Sequence, residues 1–190
     1  MSLNQHLRAA WQKPSRELWT ERLANWRKEP VTIRIDHPTR LDRARAIGYK
    51  AKPGIIMLRQ RINRGGKMRP YIRSGRRSKH MRRTLVLSKN YQAMAEERAA
   101  KKYPNLEVLN SYFVAKDGMH AWYEIVMLDP ESPVIAQDPE YSWVRAPANR
   151  RRVHRGLTSA ARKSRGLRRK GIGAEKIRPS LRANDRRGTA

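Results

Sequence analysis

Asp117, His120, Glu124 and Asp129 are the side chains in this sequence that could come together for chemistry. His120 and Glu124 stand four positions apart in a run with strand alternation, so both fall on one face. The two aspartates mark the ends of that run. Clustered carboxylates beside a histidine are what a metal-dependent nuclease needs to hold its ion. The local pattern argues for structure instead. Asp117-Gly118 is turn chemistry, Asp129-Pro130 ends a strand, and His120 and Glu124 merely alternate with apolar neighbours. There is no GxxxxGK[ST] loop, no GxSxG elbow and no HExxH helix. The five histidines, His6, His37, His80, His120 and His154, are scattered, and no cysteine is present to complete a zinc site. The expectation is therefore a chain that is not an enzyme, with no catalytic residue, metal ligand, cofactor or small-molecule substrate.

Arginine carries the remaining chemistry. The 190 residues hold 44 Lys+Arg against 16 Asp+Glu, a net charge of +28. Residues 40–90 contain 17 basic residues and one acidic residue, Asp42, and residues 150–190 contain 15 basic and two acidic. Between them, residues 91–149 hold five basic and nine acidic, while residues 1–39 hold seven and four. A solvated charged face accounts for five or six like charges. It does not account for seventeen against one, whose mutual repulsion calls for a polyanion. Guanidinium groups fork onto phosphate oxygens and stack on bases, which an ammonium cannot do.

The first basic stretch places Arg59, Arg61, Arg64, Lys67, Arg69, Arg73, Arg76, Arg77, Lys79, Arg82 and Arg83 around Gly65, Gly66 and Gly75. The glycines let the backbone approach a phosphate chain. The second holds Arg151, Arg152, Arg155, Arg162, Lys163, Arg165, Arg168, Arg169 and Lys170. Within it Thr158 can cap a short helix that Gly166 ends, from which Ser159, Arg162, Lys163 and Ser164 could bond phosphates. Such a helix is too short to form alone in water, so this stretch is expected to be irregular without its partner. The bland alternative is a tail that only raises solubility. If about ten phosphates are neutralised, log K should fall with log[salt] at a slope of about −7 to −9.

The elements that must position these stretches come from the rest of the chain. Leu3, Leu7, Ala10 and Trp11 line one helical face, Pro14 interrupts, and Ser15 caps a second helix carrying Leu18, Trp19, Leu23 and Trp26. The tryptophans repeat at helical spacing, which favours core over base-stacking platforms. Trp143, in a loop, could serve either purpose. Val31, Ile33 and Ile35 alternate as a strand, and Thr39 is expected to cap a short helix stopped by Gly48. Residues 54–62 read as a strand whose outer side presents Arg59 and Arg61 to a partner. Ser88 is expected to cap a helix running to about Lys102. Leu106, Val108, Tyr112 and Val114 then share one strand face, and Met119, Ala121, Tyr123, Ile125 and Met127 another, with Lys116-Asp117-Gly118 as the hairpin turn.

Together these give an α+β fold: a small antiparallel sheet packed with helices, plus long basic irregular extensions. The expected division is N-terminal helices in 1–30, an α+β body in 31–149 with its Arg/Gly-rich segment at 59–83, and a basic RNA-threading tail in 150–190. No run of 18 apolar residues supports a membrane span, and residues 1–13 carry no apolar core of a secretory signal. There is no C₂H₂ spacing, basic zipper or aromatic ribonucleoprotein motif. Basic residues in Gly-rich irregular stretches suit a folded RNA, whose shape offers crevices to a chain. A DNA-compacting, chromatin-type protein stays open on residue evidence.

Several stretches also form a recognisable series. They are RLDRARAIGYKAKPG at 40–54, RGG at 64–66, AEERA at 95–99, LNSY at 109–112, RGLTSA at 155–160 and RKSRGL at 162–167. In this order they resemble the archaeal and eukaryotic large-subunit ribosomal protein number fifteen, in eukaryote-type numbering. The resemblance runs from about Trp11 to Arg182, and the ending KIRPSLR at 176–182 looks like the archaeal form. Ala161 stands where the family usually has Gly, and Pro53 where many members have Gln. The resemblance implies a non-catalytic component of the large ribosomal subunit. It implies large-subunit ribosomal RNA and neighbouring large-subunit ribosomal proteins as partners, in the cytoplasm within ribosomes, where the protein takes part in translation. Carried over position by position, it implies RNA contacts at Lys50, Lys52, Arg64, Gly65, Gly66, Arg155, Thr158, Ser159, Arg162, Lys163, Ser164 and Arg165. The other basic residues of the two stretches rest on charge alone.

Overall fold

The structure is a computed structural model that describes residues 2–71, 73–75, 83–85, 87 and 89–168. Two helices open the chain, α1 (Leu3–Gln12) and α2 (Arg16–Lys28). Pro14 separates them, and Ser15 accepts the Leu18 N–H at 3.3 Å, capping α2 as its sequence position demands. The helical spacing of the tryptophans becomes a ladder. Trp11, Trp19, Trp26 and Trp122 meet in turn in tilted or edge-on contacts, with ring centroids 5.7, 6.0 and 6.0 Å apart. The ladder ties both N-terminal helices to the sheet, so these tryptophans are structural.

Strands β1 (Thr32–Ile35), β2 (Ile55–Asn63), β5 (Glu107–Lys116) and β6 (His120–Leu128) form one antiparallel sheet in the order β1-β2-β6-β5. Strands β3 (Lys67–Met68) and β4 (Thr84–Leu85) form a separate two-stranded ribbon. The Asp117-Gly118 turn joins β5 to β6 as expected, with the Asp117 carboxylate accepting the N–H groups of Met119 and His120. Because β6 is central, every residue from Ala121 to Leu128 is buried. On one face Ala121, Tyr123, Ile125 and Met127 pack with Leu58 and Ile62 against α4 (Tyr91–Lys102). On the other, Trp122 and Val126 pack with Met57, Trp26 and Ala44.

Three expectations are corrected. The residues Leu106, Val108, Tyr112 and Val114 do not share a face. Irregularities between Val108 and Asn110 and between Phe113 and Ala115 shift the register, so Leu106 and Val108 face α4 while Tyr112 and Val114 face the tryptophans. One extra residue in a strand reverses its alternation. Thr39 does not cap α3 (Leu41–Ala46): its N–H and hydroxyl go to the Glu124 carboxylate, and the helix starts without a side-chain cap. Gly48, at φ +95°, ends that helix as expected. The cap of α4 is Asn90, which accepts the Ala93 N–H at 2.7 Å; Ser88 lies outside the described residues.

After residue 149 the chain runs mostly in turns and carries one short helix, at the place where Thr158 and Gly166 led one to expect it. After α5 (Pro133–Gln137) and two 3-10 turns, Val153 enters the core against α4 and the sheet. Thr158 then caps α6 (Ser159–Ser164) by accepting the Ala161 N–H at 3.3 Å, and Gly166 ends it at φ +74°. Six residues cannot hold a helix alone, so docking does it. Ala160 and Ala161 pack on Ala93 of α4, small side chains that let the two helices approach closely. Ala161, in the position the family resemblance gives to Gly, is buried in that contact. The remaining tail residues, 169–190, lie outside the described residues.

Candidate nucleic-acid interface

The two basic stretches, distant in sequence, converge on the N-terminal end of α4. Tyr91 belongs to the first junction: its hydroxyl accepts the Gly65 N–H at 2.8 Å and donates to the Gly65 carbonyl at 3.1 Å. Asn90 belongs to the second: its N–H reaches Ser164 Oγ at 2.9 Å and its side-chain amide donates to the Ala160 carbonyl at 3.1 Å. Adjacent residues of one helix end thus hold the RGG turn and α6 side by side.

The candidate side chains fall into two groups. Gly65, Gly66, Lys67, Arg73, Arg83, Arg151, Arg162, Lys163 and Arg168 are exposed, and Arg69 and Ser159 are half-buried. The other group is engaged by partners within the protein. Arg59 is buried, donates twice from Nη2 to the Glu29 carboxylate at 2.7 and 2.8 Å, and stacks 4.3 Å over the Trp26 ring. Arg61 donates to the Arg27 carbonyl and Arg64 to that of Asp117. The expectation that Arg59 and Arg61 both project to a partner fails at Arg59, because Trp26 of α2 covers that side of β2 and Glu29, just past the end of α2, supplies a carboxylate. Lys50 pairs with Glu140 at 2.7 Å and Lys52 with Asp138 at 2.6 Å, both on the surface. Arg76, Arg77, Lys79, Arg82, Arg169 and Lys170 lie outside the described residues.

In the second stretch the commitments shape the backbone. Arg152 donates to the carbonyls of Val108 and Leu109 at 3.0 and 3.2 Å and stacks 4.8 Å from the Trp143 ring. Burial lowers its pKa, and Glu96 and Glu107 offset part of that. Arg155 and Arg165 donate to the carbonyls of Arg150 and Gly156 at 2.9 and 3.2 Å. Thr158 is fully buried and gives its hydroxyl to Glu96, so its place is in the core, beneath the surface that Ser159, Arg162 and Lys163 form. Asn90 and Tyr91, which join the two stretches, carry no charge and no motif that would single them out in the sequence.

The carboxylates considered for chemistry hold elements together. Glu124 is fully buried and accepts from the Thr39 N–H at 3.0 Å, the Thr39 hydroxyl and the Tyr112 hydroxyl. Burial, then the Glu124 charge, raises the Tyr112 pKa and keeps that phenol a donor. Asp117 pairs with Arg27 at 2.8 Å. Among the described residues no three His, Asp or Glu side chains gather to hold a metal ion. No helix among them is long and apolar enough to cross a membrane.

A family model described as Ribosomal L15 (Ribosomal_L15e) matches residues 2–184. The chain belongs to the ribosomal L15e family. It is 55% identical over 188 residues to the large ribosomal subunit protein eL15 of Methanocella arvoryzae, with 96% of each chain covered. The L15e match spans the N-terminal helices, the sheet and both basic stretches, as the ordered stretches of sequence led one to expect. The α+β architecture with its antiparallel sheet likewise agrees with what that resemblance implied.

Proposed function

We propose that this protein is a structural constituent of the large ribosomal subunit, in the cytoplasm, that binds and stabilises large-subunit ribosomal RNA through its Arg/Lys-rich segments. Neighbouring large-subunit ribosomal proteins are its other partners, and it supplies no catalysis and needs no cofactor. The observation that carries this reading is the convergence of both basic stretches at Asn90 and Tyr91 on a body fixed by its own core. L15e membership and the relative's name support it.

The mechanism is neutralisation from a prepared surface. Ordering a free basic chain costs about 1–2 kcal/mol per residue in backbone entropy. Here the internal bonds of Arg152, Arg155, Thr158 and Arg165 fix residues 150–168 before RNA arrives. The exposed cations, Lys67, Arg73, Arg83, Arg162, Lys163 and Arg168 among them, then meet phosphates through charge-assisted bonds. The test is affinity for large-subunit ribosomal RNA against salt. A log–log slope of about −7 to −9, with duplex DNA bound more weakly, supports the reading. A flat response removes it, and equal affinity for duplex DNA at moderate salt points to the DNA-compacting alternative.

A further inference from the structure

We propose that the cleft between the β3–β4 ribbon and the start of α4 receives a single unstacked nucleobase of the bound RNA. The inference rests on the RNA reading above and adds a base-binding site to it. The cleft has a volume of about 550 Å³ and is lined by Leu85, Leu87, Tyr91, Met94 and Tyr123, with Gly66 and Lys67 at its rim. Its size falls within the range of small-molecule sites, about 300–1,000 Å³. Its walls are largely apolar and aromatic, although most of its lining comes from the basic stretch of residues 40–90.

That combination fits a base better than it fits the alternatives. A phosphate gains nothing from Leu, Met and Tyr walls. An acidic peptide would offer carboxylates to the same walls. A base offers a flat apolar face for the rings and carries its own flanking phosphates to the cationic rim, where Lys67 is exposed and Arg64 and Arg69 follow on either side. Lys89, also in the lining, is already held by Glu97 at 2.7 Å, so among the described lining residues Lys67 is the cation without such a pair. Both rings are fixed before binding. Tyr91 is anchored through its hydroxyl to Gly65, and Tyr123 packs edge-on against Phe113 with centroids 5.8 Å apart. Leu87, beyond β4, is a large apolar side chain of the lining that is left exposed. Gly66 keeps the mouth narrow but clear: a Cβ there would stand 3.2 Å from the Thr84 methyl.

Two measurements test this. Ribosomal particles containing the full chain are irradiated with ultraviolet light, and nucleotide adducts are mapped by mass spectrometry. Adducts on Tyr91 or Tyr123 are expected. In parallel, binding to large-subunit ribosomal RNA from Methanocella arvoryzae is titrated against salt for the wild type, Tyr91→Phe, Tyr91→Ala and Lys67→Ala. Tyr91→Phe and Tyr91→Ala both lose the Gly65 bonds, so the difference between them isolates the ring. Stacking on one side chain is worth about 1–3 kcal/mol, so Tyr91→Ala should bind about tenfold more weakly than Tyr91→Phe at the same salt slope, since a base releases no counterions. Lys67→Ala should instead reduce the slope by about 0.7–0.9. Adducts confined to the Arg-rich stretches, or a Tyr91→Ala variant that binds as Tyr91→Phe does or has a lower slope than Tyr91→Phe, would overturn the base site while leaving RNA binding intact. Absence of adducts anywhere, together with salt-independent binding, would overturn the RNA reading itself.

Discussion

The hydroxyl of Thr158 donates to a carboxylate oxygen of Glu96 at 2.6 Å, and both residues are fully buried. The other Glu96 oxygen accepts from Ser111. One carboxylate therefore joins α4, β5 and the second basic stretch. Burial raises the Glu96 pKa, and the two hydroxyl donors pull it partway back. Replacing Thr158 by Val removes the donor to Glu96 and the acceptor that caps the Ala161 N–H. We expect a loss of about 1–3 kcal/mol in unfolding free energy by denaturant titration. Limited proteolysis should cut residues 150–168 sooner than in the wild type. Unchanged stability would mean that the Glu96 contact does not hold the tail.

Arg59 separates folding from binding. Its guanidinium is spent on Glu29 and on the Trp26 ring. Arg59→Met keeps the apolar stem but leaves Glu29 without those bonds, so thermal unfolding should shift down by the equivalent of about 1–3 kcal/mol. The salt slope of RNA binding should stay at the wild-type value, because no phosphate contact is lost. A lower slope would show that Arg59 reaches RNA after all.

Asp117 sets an acid limit on the hairpin. Burial opposes its charge, but the bonds from Arg27, His120 and Met119 outweigh that and hold its carboxyl at about 2. An unfolded aspartate titrates near about 3.9. The folded chain therefore binds fewer protons than the unfolded one between these values, and this contribution is present above the unfolded pKa and lost as pH falls through about 2. Asp117→Asn keeps an acceptor for the turn N–H groups and drops the charge. The variant should be less stable than the wild type at neutral pH, with the gap closing by about pH 2 in circular-dichroism melts. A gap that stays constant over that window would place the effect in the turn geometry.

Local signals carried much of this fold in the sequence. Strand alternation and an Asp-Gly turn lie within a few residues, so the β5–β6 hairpin and the strand at Thr32–Ile35 were legible. So were Ser15 as a cap and Gly166 as a stop. What escaped depends on partners far along the chain. Glu96 reads as one more helix-surface charge until Ser111 and Thr158, 15 and 62 positions away, are placed on it. Arg59 reads as an outward cation until Glu29, 30 positions away, covers it. The site was legible as charge but not as shape: nothing near Asn90 or Tyr91 announces that they join two basic stretches.

The clearest division of labour lies within six residues. Thr158 points into the core, while Arg162 and Lys163 stand exposed on the last turn of α6. Cations at a helix C-terminus gain only about 0.3–1 kcal/mol from the macrodipole, so folding does not account for a pair of them there. If they meet phosphates, Arg162→Ala and Lys163→Ala should each leave stability within about 0.5 kcal/mol of wild type. Each should also lower the salt slope of RNA binding by about 0.7–0.9. The Thr158→Val variant should do the reverse, losing stability first, with the slope preserved wherever the tail stays docked. Arg162→Ala and Lys163→Ala proteins that keep the wild-type slope would place the second phosphate-binding surface elsewhere on the chain.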